Sequence, residues 1–406
     1  MPTRALIAAI CVSTVATAIA QDWPQILGPT RNGVYSGPPI TRTFPKSGPP
    51  LVWTREVGAG FAGPAVAAGR LILFHRVGGR EVVDALDAAT GKTIWTAEYP
   101  TAYRDDFGFD EGPRAIPLID GGRIFTHGAD GMLQALDFAT GRKLWAVDTR
   151  RDFSVAKGYF GAASSPLVDG DRVLLNVGGR NAGIVAFDVA TGKAVWTATS
   201  DEASYSSPVM ADIAGQRTAV FFTRAGLVAL DPASGAVRYQ HRWRARMAAS
   251  VNAATPLVIK DQIFLSASYS TGAVLLQVAG GAVKPVWSGD ESLSNHYSTS
   301  VHRDGYLYGF EGRQEFGQSL RCVELATGKV MWNVDGFGAG TLMIAGDLLI
   351  ITRESGELVL APASPKAFQP AARAQLIPGV IRAYPALAAG TFFVRNEHTL
   401  AAFSLR

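Results

Sequence analysis

The sequence contains very little cysteine. Its 406 residues include two cysteines, Cys11 and Cys322. Cys11 lies in an apolar N-terminal stretch, so a chain that loses this stretch keeps one cysteine and can form no intramolecular disulfide. Cys322 falls in the apolar-rich segment 319–325, which favours a buried small side chain over a reactive thiol. The stability of the mature chain must therefore come from packing.

Charge is also scarce, at 18% of the residues and a formal net charge of +4. No run of lysine and arginine with interleaved aromatic residues occurs, which indicates that nucleic acid is not a partner. The six histidines show no His-x-x-x-His or His-Glu-x-x-His spacing, so a zinc hydrolase has little support. No Gly-x-Ser-x-Gly sequence is present to place a serine nucleophile. We therefore predict no catalytic and no metal-binding residues.

A hydrophobic run long enough to span a membrane is missing. The apolar stretch Ala5–Ile19 follows Arg4 and is shorter than the roughly 20 residues that a transmembrane helix needs. It leads to Ala18-Ile19-Ala20, a small-residue site typical of secretory signal peptides. The sequence thus predicts a signal peptide over residues 1–20 that is cleaved after Ala20, no membrane span in the mature chain, and a periplasmic or secreted location.

What the chain has in abundance is glycine, proline and a repeated motif. The 44 glycines and 22 prolines are typical of many short strands and turns. The motif runs from Ala-Leu-Asp or Ala-Phe-Asp through Thr-Gly-Lys or Thr-Gly-Arg to Trp. Its strongest copies span 85–95, 135–145 and 186–196, and weaker copies end at Tyr239, Trp287 and Trp332. A period of roughly 45 residues is typical of propeller blades with four strands.

The motif has a direct physical interpretation. The Asp can accept hydrogen bonds from the following backbone amides, and the Gly supplies the positive φ that the turn needs. The aromatic residue then begins the outer strand, where its apolar face can pack against the neighbouring blade. We predict docking positions at Trp53, Trp95, Trp145, Trp196, Tyr239, Trp287 and Trp332, with a degenerate eighth position at Phe368.

These positions predict an all-β, eight-bladed propeller over residues 51–406, preceded by an extended N-terminal segment over 21–50. Segment 50–53 has the pattern of an outer strand with no preceding blade, whereas 386–403 supplies inner strands without an outer one. We expect the two to share one blade, which removes the open sheet edge. The alternative is a seven-bladed propeller, in which the segment around Phe368 is an irregular loop and not a blade.

The Asp-x-x-Thr-Gly-Lys-x-x-Trp units resemble the tryptophan-docking repeats of the pyrroloquinoline-quinone-like propeller superfamily over nearly all of 51–406. The opening Asp22-Trp23-Pro24-Gln25 is similar to the start of secreted bacterial members. The superfamily includes quinoprotein alcohol dehydrogenases and a non-catalytic lipoprotein of the outer-membrane barrel assembly machinery, so the resemblance implies the fold and leaves the function open. The adjacent cysteine pair and the haem-attachment motif of many such dehydrogenases are missing here.

A candidate ligand site follows from the prolines that recur in successive innermost strands. They are Pro64, Pro117, Pro166, Pro208, Pro256 and Pro385, with Ser300 at the matching place in one blade. The residues three positions earlier are Phe61, Arg114, Ala163, Tyr205, Ala253, Tyr297 and Arg382, and one position further back are Asn252 and His296. We expect these side chains to form a ring at the mouth of the central channel.

Two arginines beside an aromatic face suit a flat, anionic ligand. Candidates are pyrroloquinoline quinone with Ca²⁺, a small anionic metabolite or a peptide C-terminus; alternatively, the ring side chains only satisfy loop carbonyls. The loop 103–111 gathers four carboxylates but lacks the Asp-x-Asp-x-Asp-Gly pattern of a calcium loop. The favoured interpretation is a solvated acidic loop, partly neutralised by Arg104 and Arg114.

The sequence therefore favours an exported, monomeric, non-catalytic scaffold or binding protein without a cofactor. Its expected partner is a cell-envelope protein or peptide, or a small anionic ligand in the funnel. The alternative is a quinone-dependent oxidoreductase acting on alcohols or sugars, in which the same ring would hold the quinone.

Overall fold

The computed structural model describes residues 22–247 and 250–406, so the predicted signal peptide lies outside the described residues. The described chain consists almost entirely of short strands. Its helical elements are the α-helix Thr149–Asp152 and the 3-10 helix Gln314–Phe316. The strands form eight separate sheets, which confirms the prediction of eight blades.

Blades 1 to 6 follow the chain in order, each with four antiparallel strands that run from the channel outward. Blade 1 comprises Ala65–Ala67, Arg70–Val77, Arg80–Asp87 and Thr93–Pro100, blade 2 Leu118–Asp120, Arg123–His127, Met132–Asp137 and Lys143–Asp148, and blade 3 Leu167–Asp169, Arg172–Gly179, Ala182–Asp188 and Ala194–Ala198. Blade 4 comprises Val209–Ile213, Gln216–Phe222, Gly226–Leu230 and Val237–Arg242, blade 5 Leu257–Ile259, Gln262–Ala267, Gly272–Ala279 and Ala282–Gly289, and blade 6 Val301–Arg303, Tyr306–Glu311, Ser319–Glu324 and Val330–Val334.

The last two blades contain the chain termini. Blade 7 comprises Gly340–Ala345, Leu348–Arg353, Glu357–Pro362 and Ala372–Gln375, with the short strand Val34–Tyr35 added in parallel to its inner edge, and blade 8 comprises Ala386–Ala388, Thr391–Arg395, Thr399–Ser404 and Leu51–Glu56. Leu51 lies opposite Phe403 and Glu56 opposite Thr399. The N-terminal strand therefore closes the ring, as predicted, and covers the edge of strand Thr399–Ser404.

The repeated turn forms as its sequence suggests. In blade 1 the backbone N and the Oγ1 of Thr90 donate to Asp87 Oδ1, at 2.8 and 2.7 Å. These hydrogen bonds hold the pKa of Asp87 below its usual value. Gly91 follows with φ +69°, a conformation that side chains disfavour. The chain can then reverse into the outer strand.

Each docking tryptophan contacts the loop that follows the third strand of the next blade. Its Nε1 donates to a backbone carbonyl there, in the pairs Trp53–Ala88, Trp95–Phe138, Trp145–Val189, Trp196–Pro232, Trp287–Leu325 and Trp332–Ser364. The indole also covers the turn glycine closely, since a Cβ added to Gly192 would lie 2.6 Å from Trp145. Tyr239 occupies the same register, opposite Ala229, and packs in one core cluster with residues of blade 5.

Phe368 is not the eighth docking residue, and the prediction at this position is wrong. The outer strand of blade 7 begins later, and Ala372 lies opposite Leu360 in the row where the other blades place their aromatic residue. Phe368 precedes this strand and packs against Trp332 and Phe337, with ring centroids 5.6 and 5.5 Å apart. An average period cannot locate the strand, because a loop of nine residues separates the third strand of blade 7 from its fourth.

The N-terminal segment, residues 22–50, does more than lead into the first outer strand. Trp23 forms an antiparallel bridge with Val66 in blade 1, and the Pro24 carbonyl accepts a hydrogen bond from Ile119 in blade 2. At its other end, Val34 and Tyr35 pair with the inner strand of blade 7. The segment thus crosses the channel and contacts inner strands from both sides.

Arg31 anchors the middle of this segment. Its side chain donates to the carbonyls of Pro166 and Pro208, which precede the inner strands of blades 3 and 4. Its Nε donates to Gln25 Oε1 at 2.7 Å. Burial lowers the pKa of Arg31 to about 9. Together with the strand contacts at its two ends, the hydrogen bonds of Arg31 hold the segment in the channel below the candidate site.

Candidate functional site

A central funnel of about 200 Å³ opens above this N-terminal segment. Eight of the nine predicted ring residues line it: Phe61, Arg114, Ala163, Tyr205, Ala253, His296, Tyr297 and Arg382. Their common position follows from a repeated backbone contact between blades. The N–H groups of Phe61 and Ala62 both donate to the Pro113 carbonyl, and those of Tyr205 and Ser206 to the Asn252 carbonyl.

Asn252 is the predicted ring residue that does not line the funnel. Its side-chain Nδ2 donates to the carbonyls of Thr223 and Trp243, at 2.8 and 3.3 Å. It is buried and holds two loop segments of blade 4 together. Asn252 therefore acts on the shape of the funnel wall.

Several funnel residues were not predicted from the sequence. The additional aromatic side chains are Phe109, Phe160, Tyr269 and Tyr384, and Ile26 of the N-terminal segment also lines the cavity. Phe109 and Phe160 come from long loops between blades, where no fixed offset from a proline applies. The paired aromatics Phe107/Phe109 and Tyr159/Phe160 were the available signal, since rings of these two loops pack together at 5.1–6.1 Å.

Phe61 lies between the two arginines, each guanidinium carbon being 5.6 Å from its ring centre. The Arg114 guanidinium is committed to its own loop: its Nη atoms donate to Gly112 O and Asp110 O, and the Asp105 carboxylate lies 3.5 Å away. Arg114 thus satisfies loop carbonyls, the alternative that the sequence left open.

Arg382 is arranged differently. Its Nε contacts Glu354 Oε1 at 3.1 Å, and the same carboxylate oxygen accepts a hydrogen bond from Tyr297 at 2.8 Å. Burial and the Glu354 charge raise the pKa of Tyr297 well above its usual value, so the phenol keeps its proton. Within the part of the chain that the structure describes, the Nη atoms of Arg382 make no hydrogen bond. They remain available to an anion in the funnel.

A second polar group on the wall is a histidine between two partners. His296 Nδ1 lies 2.8 Å from Gln314 Oε1, and its Nε2 lies 2.9 Å from the Tyr269 hydroxyl. Because an amide oxygen can only accept, Nδ1 carries the proton and Nε2 accepts from Tyr269. Burial lowers the pKa of His296, which favours the neutral imidazole.

The acidic loop 103–111 is solvated only in part. Residues 106–109 are exposed, and Arg104 and Arg114 pair with carboxylates of the loop as expected. Two of its four carboxylates, however, are buried. The Asp105 side chain is fully buried and accepts from the backbone N–H groups of Phe109 and Asp110. Asp110 accepts from Gly60 and Gly112, and it too is buried. The hydrogen bonds to these two carboxylates hold the loop in its conformation. Among the residues described, no group of three His, Cys, Asp or Glu side chains is placed to hold a metal ion.

Cys322 is buried and unpaired, and burial raises the pKa of its thiol to about 12. It therefore packs as a small apolar side chain, as expected. Across residues 22–247 and 250–406, no helix has the length and apolarity to cross a bilayer.

Comparison with known proteins relates this architecture to two functional groups. A family model described as outer membrane protein assembly factor BamB matches residues 46–158 and 79–334. The outer membrane protein assembly factor BamB of Moranella endobia (strain PCIT) is 24% identical over 262 residues, which cover 60% of this chain and 63% of that protein. The quinohemoprotein alcohol dehydrogenase ADH-IIG of Pseudomonas putida is 32% identical over 142 residues, which cover 33% of this chain and 19% of that enzyme. The matched regions thus span less than two thirds of each relative.

Solved structures of proteins from the same two groups have a similar fold. BamB from Moraxella catarrhalis superposes with a TM-score of 0.66 at 15% identity, covering 87% of this chain and 99% of that one. The quinohemoprotein alcohol dehydrogenase from Comamonas testosteroni gives a TM-score of 0.64 at 15% identity, covering 95% of this chain and 80% of that one. At this identity the similarity shows the propeller fold alone.

Proposed function

Since the chain belongs to the propeller family described as outer membrane protein assembly factor BamB, we propose that it is an exported, non-catalytic propeller that binds an anionic group in its central funnel. The group is supplied by a protein or peptide of the cell envelope or by a small anionic ligand. The observation that carries this proposal is the Arg382 guanidinium, which offers its Nη atoms to the cavity beside Phe61 and Phe109.

The shape of the funnel supports the same conclusion. Ile26 lines it and Arg31 fills the channel below, so a ligand enters from one side only. A volume of about 200 Å³ is below the roughly 300–1,000 Å³ of most small-molecule sites. The funnel therefore accommodates one end of a larger ligand, such as a terminal carboxylate with one apolar side chain.

The match to quinohemoprotein alcohol dehydrogenases favours a second candidate, a quinone-dependent oxidoreductase. The residues of the funnel do not fit the quinone. A flat polycarboxylate needs several free cationic donors, whereas the Nη atoms of Arg114 are bonded to its own loop and the Glu315 side chain lines the wall. The funnel thus supports the binding function better than the redox function.

The test is calorimetric titration of the mature chain with N-acetylphenylalanine and, separately, with its amide. We expect saturable binding of the carboxylate and weaker binding of the amide. Arg382→Gln should weaken carboxylate binding by about 10- to 100-fold, because hydrogen bonds to charged groups contribute about 1.5–3 kcal/mol. Arg242→Gln, on the exposed outer strand of blade 4, is the control and should bind like the wild type.

An absence of saturable binding, or equal affinity of wild type and Arg382→Gln, would contradict the anion site. The non-catalytic assignment has its own test, in which the mature chain is incubated with pyrroloquinoline quinone and Ca²⁺ and assayed for dye reduction with alcohols and sugars. Turnover above that of the free quinone would overturn it.

A further inference from the structure

A second and larger cavity lies beside the funnel, among the loops of blades 2, 3 and 4. We call it the side cavity; it has a volume of about 490 Å³ and shares the wall residues Ala163 and Tyr205 with the funnel. This volume lies within the roughly 300–1,000 Å³ of small-molecule sites. The side cavity can therefore hold a complete small ligand.

Charged side chains surround the side cavity. Three ion pairs line it, namely Arg150–Asp130, Lys157–Asp106 and Arg224–Glu202. Each pair presents both donors and acceptors with its charge neutralised. Arg244 also lines the side cavity and makes no hydrogen bond or ion pair with the residues that the structure describes. The wall therefore carries one uncompensated positive charge.

Two buried polar atoms of the wall lack partners. His127 is 3% exposed, and its Nδ1 lies 3.1 Å from the Ser164 carbonyl. Because a carbonyl only accepts, Nδ1 carries the proton and Nε2 is left as an acceptor. Neither His127 Nε2 nor Ser164 Oγ has a hydrogen-bond partner among the described residues. An unsatisfied buried polar atom is costly, so a ligand hydroxyl group that reached these two atoms would be stabilised by them.

We propose that the side cavity binds an anionic saccharide, whose carboxylate pairs with Arg244 and whose hydroxyl groups bond to His127 and Ser164. Hydroxyl groups both donate and accept, so they match the neutral imidazole, the serine hydroxyl and the ion pairs of the wall. Tyr159 and Tyr205 add aromatic surface for the apolar face of a sugar ring. This proposal is independent of the ligand of the central funnel.

The experiment is calorimetric titration of the mature chain with D-glucuronate and with D-glucose as the neutral match. We expect saturable binding of glucuronate that weakens as salt is added, and binding of glucose that is weaker by about tenfold or more. Arg244→Gln should lower glucuronate affinity by about 10- to 100-fold, and Ser164→Ala by about 3- to 10-fold. Arg242→Gln, on the exposed outer strand of blade 4, should leave it unchanged.

The variants also separate the two cavities. If glucuronate does not bind saturably, or if Arg382→Gln abolishes its binding while Arg244→Gln does not, the proposal is overturned. Each variant is first checked for an unchanged thermal unfolding midpoint. Arg244 lies in a partly exposed loop and Ser164→Ala removes an unsatisfied hydroxyl, so both variants should fold.

Discussion

His127 is a buried base whose protonation should oppose folding. Burial lowers its pKa from 6.5 to about 4. Between these two values the unfolded chain binds a proton that the folded chain does not, so the free energy of unfolding decreases as the pH falls from 6.5 towards 4. A difference of this size corresponds to roughly 3 kcal/mol, all of it present above pH 6.5.

The measurement is urea unfolding of the wild type and of His127→Asn at several pH values between 7.5 and 4. Asparagine can keep a donor near the Ser164 carbonyl and does not titrate in this range. We expect the difference in unfolding free energy between the two proteins to shrink with falling pH. A constant difference would mean that His127 is protonated equally in both states.

Among the site residues, the sequence located those at a fixed offset from a repeated proline, because blades repeat their backbone contacts. It could not show which of two arginines remains free. The Arg114 guanidinium is hydrogen-bonded within a loop that folds around Asp105. The Arg382 guanidinium bonds to Glu354 through its Nε and leaves its Nη atoms to the funnel. That difference depends on non-repeating loops, and so does the aromatic surface supplied by Phe109.

At the level of the blade, the contact between tryptophan and turn glycine should be a major stabilising element. A Cβ on Gly192 would lie 2.6 Å from the Trp145 ring, at φ +71°. Gly281 is a matched control, since it has φ +76° and open space around the added Cβ. Both alanine substitutions incur the backbone cost of about 1–2 kcal/mol, and Gly192→Ala adds an overpacking cost of about 1–3 kcal/mol.

We therefore expect Gly192→Ala to lower the urea midpoint clearly more than Gly281→Ala. Tryptophan fluorescence and circular dichroism should report the same transition. Equal midpoints would show that the indole moves aside without loss, and that blade contacts depend on the strands rather than on the docked ring.

The elements that the sequence predicted well are those in which one physical requirement recurs. Asp87 and Gly91 form the turn between the third and fourth strands, and Trp95 in the fourth strand covers the turn of the next blade. The spacing of these residues therefore predicts where the strands of a blade lie. Blade 7 does not contain the motif. Ala372 stands in the row of the aromatic residue, and a longer loop precedes its strand. Phe368 matches only the average spacing of the motif, and it lies in the loop before the strand Ala372–Gln375.

At the scale of the whole molecule, the two ends of the chain together form blade 8. Strand Leu51–Glu56 pairs with Thr399–Ser404, and Trp53 docks on the turn of blade 1. It thereby joins the last blade to the first. The N-terminal segment adds a second set of contacts across the channel, through Arg31 and the strand Val34–Tyr35.

Two truncations separate these contributions. A chain that begins at Pro49 lacks most of the N-terminal segment but keeps the closing strand, whereas one that begins at Val57 lacks both. We expect the first to unfold at lower urea than a chain that begins at Asp22, yet to show no self-association beyond that chain in sedimentation. The second should unfold lower still and associate, because strand Thr399–Ser404 then exposes its unpaired N–H and C=O groups. If both truncations had the same midpoint and the same mass, closure by the N-terminal strand would not be what holds the ring together, and the contacts between neighbouring blades would suffice.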